Sequence, residues 1–304
     1  MIWFKNIFVY RLTRDIDLDP KLIEKQLSEF LFTPCGSRDF HKFGWTTAFG
    51  KHGDTLTHVC ENNILLCACK EEKILPASVI KDSLDVKVDA MEQEQGRMLR
   101  KKEKDSLKTN IILDLLPHAF SRHSKTRALF IPKTGLLIID ASSVKRVIDI
   151  LSLLRKSLGS LLVEPIKTRN SIELAMTKWV RLNQAPKGFT IGEEAELKDS
   201  LDQGGVIRCT QQDLSSNEIR AHIKANKLVT KLTLNWQNRI DLTLCDDMSV
   251  KRIKFSEELI DQNADIVCED IVKRLDADLS LMCGELAVFL SNLYEELGGI
   301  DTGN

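Results

Sequence analysis

Arg97, Arg100, Lys101, Lys104 and Lys108 crowd one stretch of the chain. On a helix turning about 100° per residue, they fall within one sector roughly 100° wide. Cations gathered on one solvent face can touch successive phosphates of a nucleic acid, whereas scattered ones only keep a helix in solution. Glu103 and Asp105 interrupt the run, so the same spacing also suits an ordinary solvated face. Arg122 extends the stretch: from Arg97 to Arg127 nine Lys or Arg stand against three acids.

A second set comes from strand alternation, which sends successive side chains to opposite faces. From Lys227 to Trp236 one face would carry Leu228, Leu232, Leu234 and Trp236, and the other Lys227 and Lys231. The following strands would turn Ile240, Leu242, Leu244, Ile253 and Phe255 inward and leave Arg239, Arg252 and Lys254 outside. Five cations then share a face on which Asp241 is the only acid, which fits a phosphate-binding surface and a wetted antiparallel sheet equally well. Phe120, beside the basic stretch, could wedge into DNA, plug a subunit interface or anchor a local core. Trp179 and Trp236 read as core residues.

Other chemistry finds little support. His58, Cys60, Cys67 and Cys69 form pairs with one intervening residue, whereas structural zinc sites use two to four. Cysteines on an apolar strand serve as small buried groups, so no metal is expected. No phosphate-cradling glycine loop, metalloprotease helix or nucleophile elbow occurs, and no cofactor or catalytic residue is expected. Asp246-Asp247, or Asp276 with Asp278, could in principle hold Mg²⁺ for a nuclease, but carboxylates at turns and helix starts are commonplace.

The elements that must position these residues read as α+β, with antiparallel sheets and long helices in blocks. Trp3 to Leu12 suggests a strand, and Leu22, Ile23, Leu27 and Phe30 a helix after Asp19-Pro20. Leu56 to Val59 and Ile64 to Ala68 suggest paired strands. Ile80, Leu84, Val88, Met91, Met98 and Leu99 predict one amphipathic helix from about Ala77 to Ser106, about 45 Å long, with Gly96 a possible bend. Leu129 to Ile131 and Leu136 to Asp140 suggest a hairpin, followed by a helix from Ser142 to Leu158 that Gly159 stops. Further on come a helix at Glu193 to Leu201, a strand at Val206 to Cys209, a helix at Ser216 to Ala225, the three-stranded meander and a final helix from Cys268 to Leu297. Two or three lobes are expected in 304 residues, divided as 1–165, carrying the basic helix, and 166–304, carrying the meander.

A formal net charge of −1 is unpromising for a polyanion ligand unless charge is segregated. Segregation is evident, because Glu193 to Asp202 holds five acids against one Lys while the stretch after Arg97 is basic. No run of 18 apolar residues occurs and the start lacks a signal-peptide core, so a soluble cytoplasmic protein with free thiols and no membrane contact is expected.

Several blocks resemble the RdgC family of bacterial recombination-associated proteins in order and spacing. They are Trp3-Phe4-Lys5-Asn6, FTPCGS at Phe32 to Ser37, CKEEKILP at Cys69 to Pro76, EKDSLK at Glu103 to Lys108, LLRKSLGSL at Leu153 to Leu161, QGGVIR at Gln203 to Arg208 and DQNADI at Asp261 to Ile266. The resemblance covers nearly the whole chain. It implies a homodimer whose subunits close into a ring with a basic hole. Such a ring would bind double-stranded and single-stranded DNA with little sequence preference, associate with the nucleoid and restrain the RecA recombinase. It also brings in Gln212, in Gln212-Asp213-Leu214. Family members can carry lysines just before that tripeptide, but here Thr210-Gln211 precede it, so Gln212 offers a neutral contact. A regulator acting through protein contact with RecA is the alternative.

Overall fold

A computed structural model describes residues 2–13, 19–199, 204–263 and 271–301. In chain order the elements are β1 (Ile7–Leu12), α1 (Pro20–Ser28), β2 (His41–Thr46), β3 (Thr57–Cys60), β4 (Asn63–Ile74), α2 (Ala77–Gln95), α3 (Lys101–Leu115), β5 (Phe120–Ile131), β6 (Leu136–Asp140), α4 (Val144–Leu158), β7 (Val163–Pro165), α5 (Ile172–Leu182), β8 (Phe189–Asp199), β9 (Val206–Cys209), α6 (Asn217–Lys224), β10 (Lys227–Trp236), β11 (Ile240–Cys245), β12 (Val250–Phe255), α7 (Glu257–Ile260) and α8 (Ile271–Glu296). The class is α+β, as expected. Among the described residues no helix is long and apolar enough to cross a membrane. Two compact units emerge, neither continuous in sequence: Met1–Gln26, Thr47–Cys67 and Thr126–Asn304 form one, Leu27–Thr46 and Ala68–Lys125 the other.

The larger unit is built on antiparallel strands in the order β5-β6-β1-β12-β11-β10-β8-β9. Its core is dominated by α8, where Leu279, Met282, Cys283, Leu286, Phe289, Leu290 and Leu293 recur every three or four residues and are almost wholly buried. Phe289 meets Trp236 of β10 edge-on, with ring centroids 5.8 Å apart. The helix was expected from Cys268, which lies outside the described residues. The α5 helix was not anticipated. Ser171 caps its start by accepting the Leu174 N–H, and Asn183 ends it in the left-handed region.

One expected helix is a strand. Glu193 to Leu201 is rich in Glu, Ala, Leu and Lys, which favour helices, yet β8 runs through Asp199 between β9 and β10. Alternation decides it. Ala195 and Leu197 enter the core, so Glu194, Glu196 and Lys198 take the other face, and tertiary pairing overrides local preference. At Gly192 a Cβ would lie 2.6 Å from Thr233 Oγ1, so only glycine lets β8 approach β10 there.

In the smaller unit the expected single helix is two. Gly96 sits at φ +61 in the left-handed region and ends α2, and α3 begins five residues later. The two helices lie side by side, with Lys87 Nζ 3.1 Å from Asp114 and Lys104 Nζ 3.1 Å from Glu92. Val88, Leu99 and Ile111 are the buried residues of this hairpin. Glu92 also accepts the Leu99 N–H at 2.8 Å, and Glu103 that of Arg100 at 2.7 Å, so carboxylates satisfy the backbone donors freed at the turn.

Candidate nucleic-acid interface

The helical break divides the first cation set. Arg97 lies in the turn and Arg100 caps α3, while Lys101, Lys104 and Lys108 remain on one side of α3. Arg97 is spoken for, because its guanidinium grips Glu103 with nitrogen–oxygen distances of 2.7 and 3.0 Å. That grip, with the Arg100 N–H, holds the Glu103 carboxyl down at about 2. Lys104 is held by Glu92. Lys101 and Lys108 are exposed and make no ion pair among the described residues, and the same holds for Lys102. Sequence reasoning passed over Lys102 because it lies about 100° around the helix from Lys101. Elsewhere in this unit Arg122 pairs with Glu72 at 3.2 Å. Phe120 opens β5 and is 84% exposed, which rules out the local-core role for it within this chain.

The sheet cations do not share one face. Strict alternation predicts Leu228 in the core, but Val229 is the buried residue, and a β-bulge shifts the register between Val229 and Lys231. Beyond the bulge Leu232, Leu234 and Trp236 resume the core face. Lys227 therefore has the parity of Val229 and lines a hollow with Leu174, Thr177 and Ile223, on the side of α5 and α6. Its ammonium lies 3.3 Å from Asp199. Arg239 turns toward α8, where Glu285 accepts from its Nε at 2.8 Å and from a second guanidinium nitrogen. Gln212, beyond β9, donates to Glu218 at 3.0 Å.

What remains is a polar face spanning β8 to β12. It presents Lys198, Arg208, Lys231, Arg252 and Lys254 among Glu194, Glu196, Asp241, Thr233 and Thr243. Two adjoining hollows of about 320 and 140 Å³ lie on it and share Glu194, Thr243 and Arg252. Lys231 Nζ lies 3.0 Å from Glu196. Arg252 donates through Nε to Thr243 Oγ1 at 2.9 Å and pairs with Glu194. Arg252 also has φ +52, which a non-glycine residue adopts at a cost, at a second bulge where β12 slips against β11. Lys254 is exposed opposite Asp241. Sequence reasoning missed Arg208 and Lys198, because the expected helix hid the pairing of β8 with β9.

The cysteines fit the buried role. Cys60, Cys67 and Cys69 are almost inaccessible, and all seven cysteines among the described residues are free. Burial pushes the Cys60 thiol up to about 11 and that of Cys283 to about 12, so neither is a nucleophile near neutrality. His58 instead pairs with Asp276 at 2.7 Å and stacks on Phe49. Asp278 accepts from Asn263, and Asp247 accepts the Ser249 N–H within a turn. Among the described residues no three His, Cys, Asp or Glu converge to hold a metal ion.

Comparison with known proteins gives one result along the whole chain. Residues 2–300 match the model of the family described as "Putative exonuclease, RdgC". Proteins named "Recombination-associated protein RdgC" from Salmonella typhimurium and Yersinia enterocolitica are 53% and 54% identical over 299 residues, covering 98% of this chain and 99% of each relative.

Proposed function

The chain belongs to the RdgC family, and on that premise we propose that it binds DNA through phosphate contacts without reading sequence and so limits recombination. The observation that carries this reading is the set of exposed lysines on α3, Lys101 and Lys108 on one side and Lys102 about 100° around from Lys101, backed by the cation-bearing polar face of the larger unit. Both suit a ligand of regularly spaced negative charge, and neither presents a set of side chains spaced to read base edges. The relatives' name places them in recombination, which gives a DNA ligand its context. In this reading the protein acts as a homodimer, its subunits closing around double-stranded or single-stranded DNA in the nucleoid, and it restrains RecA by occupying the strand RecA needs. Phe120 suits either a contact between subunits or a wedge against DNA, since an aromatic ring exposed to that degree gains most from being covered.

The reading is tested by titrating duplexes of matched length and scrambled sequence at several salt concentrations. About five or six phosphate contacts give a log-log slope of roughly −5. A flat slope, or a hundredfold preference for one sequence, would overturn it. The family description names an exonuclease, so the same duplexes are incubated with Mg²⁺. We expect them to stay full length, and shortening from an end would replace occupancy with catalysis. Inhibition of RecA that persists when free DNA is saturating would favour protein contact over competition.

A further inference from the structure

Glu196 is out of place on a DNA-facing surface by simple charge counting. It lies in the middle of the cations, its side chain is only 7% exposed, and its carboxylate would be expected to repel phosphate. The geometry around it suggests another role. Register places Arg208 directly opposite Glu196 on β9 and Lys231 directly opposite on β10, so the three form one row across three strands. Arg208 donates through Nε at 2.9 Å and Lys231 through Nζ at 3.0 Å, while Lys198 approaches to 3.7 Å. Burial works to raise the Glu196 carboxyl, but hydrogen bonds from Lys231 and Arg208 outweigh it and keep the group ionised.

The cations are tethered by one end only. Arg208 spends its Nε on Glu196, and its side chain is otherwise 76% exposed, with both terminal nitrogens free of partners among the described residues. Lys231 and Lys198 are 39% and 44% exposed. One buried negative charge thus fixes Arg208 and Lys231 and helps hold Lys198, which also lies 3.8 Å from Asp246, and all three still face solvent beside the hollow of about 140 Å³, where Arg252 joins them. Free lysines and arginines lose many rotamers on meeting a phosphate, and cations already fixed lose fewer.

We infer that Glu196 is a positioning residue, holding Arg208 and Lys231, with Lys198 alongside, as a preformed subsite for a DNA phosphate. This rests on the DNA-binding reading above and deepens it by naming where one phosphate sits. It also reverses a sign. Glu196→Gln raises the formal net charge of −1 by one unit, so counting charges predicts tighter binding. Positioning predicts weaker binding.

The test measures affinity of the full chain for a short labelled duplex in the wild type, Glu196→Gln, Arg208→Ala/Lys231→Ala, and the three changes combined. Glu196→Gln is expected to weaken binding about tenfold, and to have no further effect once Arg208 and Lys231 are gone, the signature of residues acting as a unit. Unchanged or tighter binding by folded Glu196→Gln overturns the inference and leaves the DNA reading standing. Wild-type protein with no salt-dependent DNA binding overturns both. Should Glu196→Gln fail to fold, the Arg208 Nε–H resonance of the wild type decides. We expect it to be slow to exchange with solvent and to shift when duplex is added, and a fast-exchanging signal that duplex leaves unmoved overturns the subsite.

Discussion

The α2–α3 hairpin and the polar sheet face both carry several cations and use them differently. On the hairpin, Lys101, Lys102 and Lys108 stand in solvent without carboxylate partners among the described residues. On the sheet, Lys198, Arg208, Lys231 and Arg252 each lie within 4 Å of Glu194 or Glu196. A free lysine carries condensed counterions to release and contributes fully to a salt-dependent affinity. A tethered cation has already exchanged part of its hydration for a carboxylate, so it adds less to that dependence and more to geometry and stability. On the DNA-binding reading proposed above, the hairpin supplies attraction and the sheet supplies placement.

The largest effect should come from the hairpin. Lys101→Ala/Lys102→Ala/Lys108→Ala is expected to weaken duplex binding by at least about tenfold and shallow the salt slope by up to about three units. Melting should move little, since exposed substitutions to alanine usually cost within about 0.5 kcal/mol each. Fluorescence anisotropy over a salt series checks the first and thermal unfolding the second. A sheet variant that changed the slope as much would erase the distinction. Lys231→Ala should do the reverse, shifting the slope by less than about one unit. It should cost roughly 1 to 2 kcal/mol of stability, because the buried Glu196 carboxylate loses a donor. Denaturant unfolding read beside the slope would sharpen the comparison or, if stability held, break it.

Gly96→Ala probes the turn that presents the free lysines. A Cβ there meets nothing within 4 Å, so the penalty is backbone strain alone. We expect about 1 kcal/mol, with Gly96→Asn costing less. A stabilising Gly96→Ala would mean that the helices can join, as the sequence pattern suggested. The smallest effect is in acid. The Glu196 carboxyl is held below its ordinary value of 4.5, so its contribution is fully present above that value and drains away as pH falls through the lowered one. Glu196→Gln, lacking that contribution, should show a shallower loss of stability below pH 4.5 than wild type. Parallel acid limbs would show that the ion pairs around Glu196 do not stabilise the fold.

The parts of this arrangement legible in the sequence were those written in short-range periodicity. The meander from Lys227 to Phe255 was visible because large apolar residues alternate along it. The Ser142 to Leu158 helix was visible because its apolar stripe is regular and a glycine ends it. Failures came where distant partners decide. The β8 strand is built from helix-favouring residues and becomes a strand only by lying between β9 and β10. One bulged residue near Thr230 turns Lys227 to the other face, and alternation carries no sign of it. The ion pairs were invisible for the same reason, since Glu196 meets Lys231 across 35 positions and Arg252 meets Glu194 across 58.

The position of β1 sets an order in time. Its residues pair with β6, where Ile7 faces Asp140, and with β12, where Ile7 faces Val250. A strand made before all of its partners is therefore an interior one, and one of its neighbours is made about 240 residues later. The α2–α3 hairpin needs only neighbouring sequence and can form within microseconds, whereas the sheet must wait to close a very long loop. A nascent chain stopped before β12 would carry a finished hairpin bearing its lysines and a β1 that β7 covers at Tyr10 to Leu12 but whose Ile7 end still lacks its β12 partner, the kind of edge that recruits other strands. The basic hairpin can therefore exist before the sheet closes, so shielding β1 during synthesis should matter more to the yield of this protein than any late folding step.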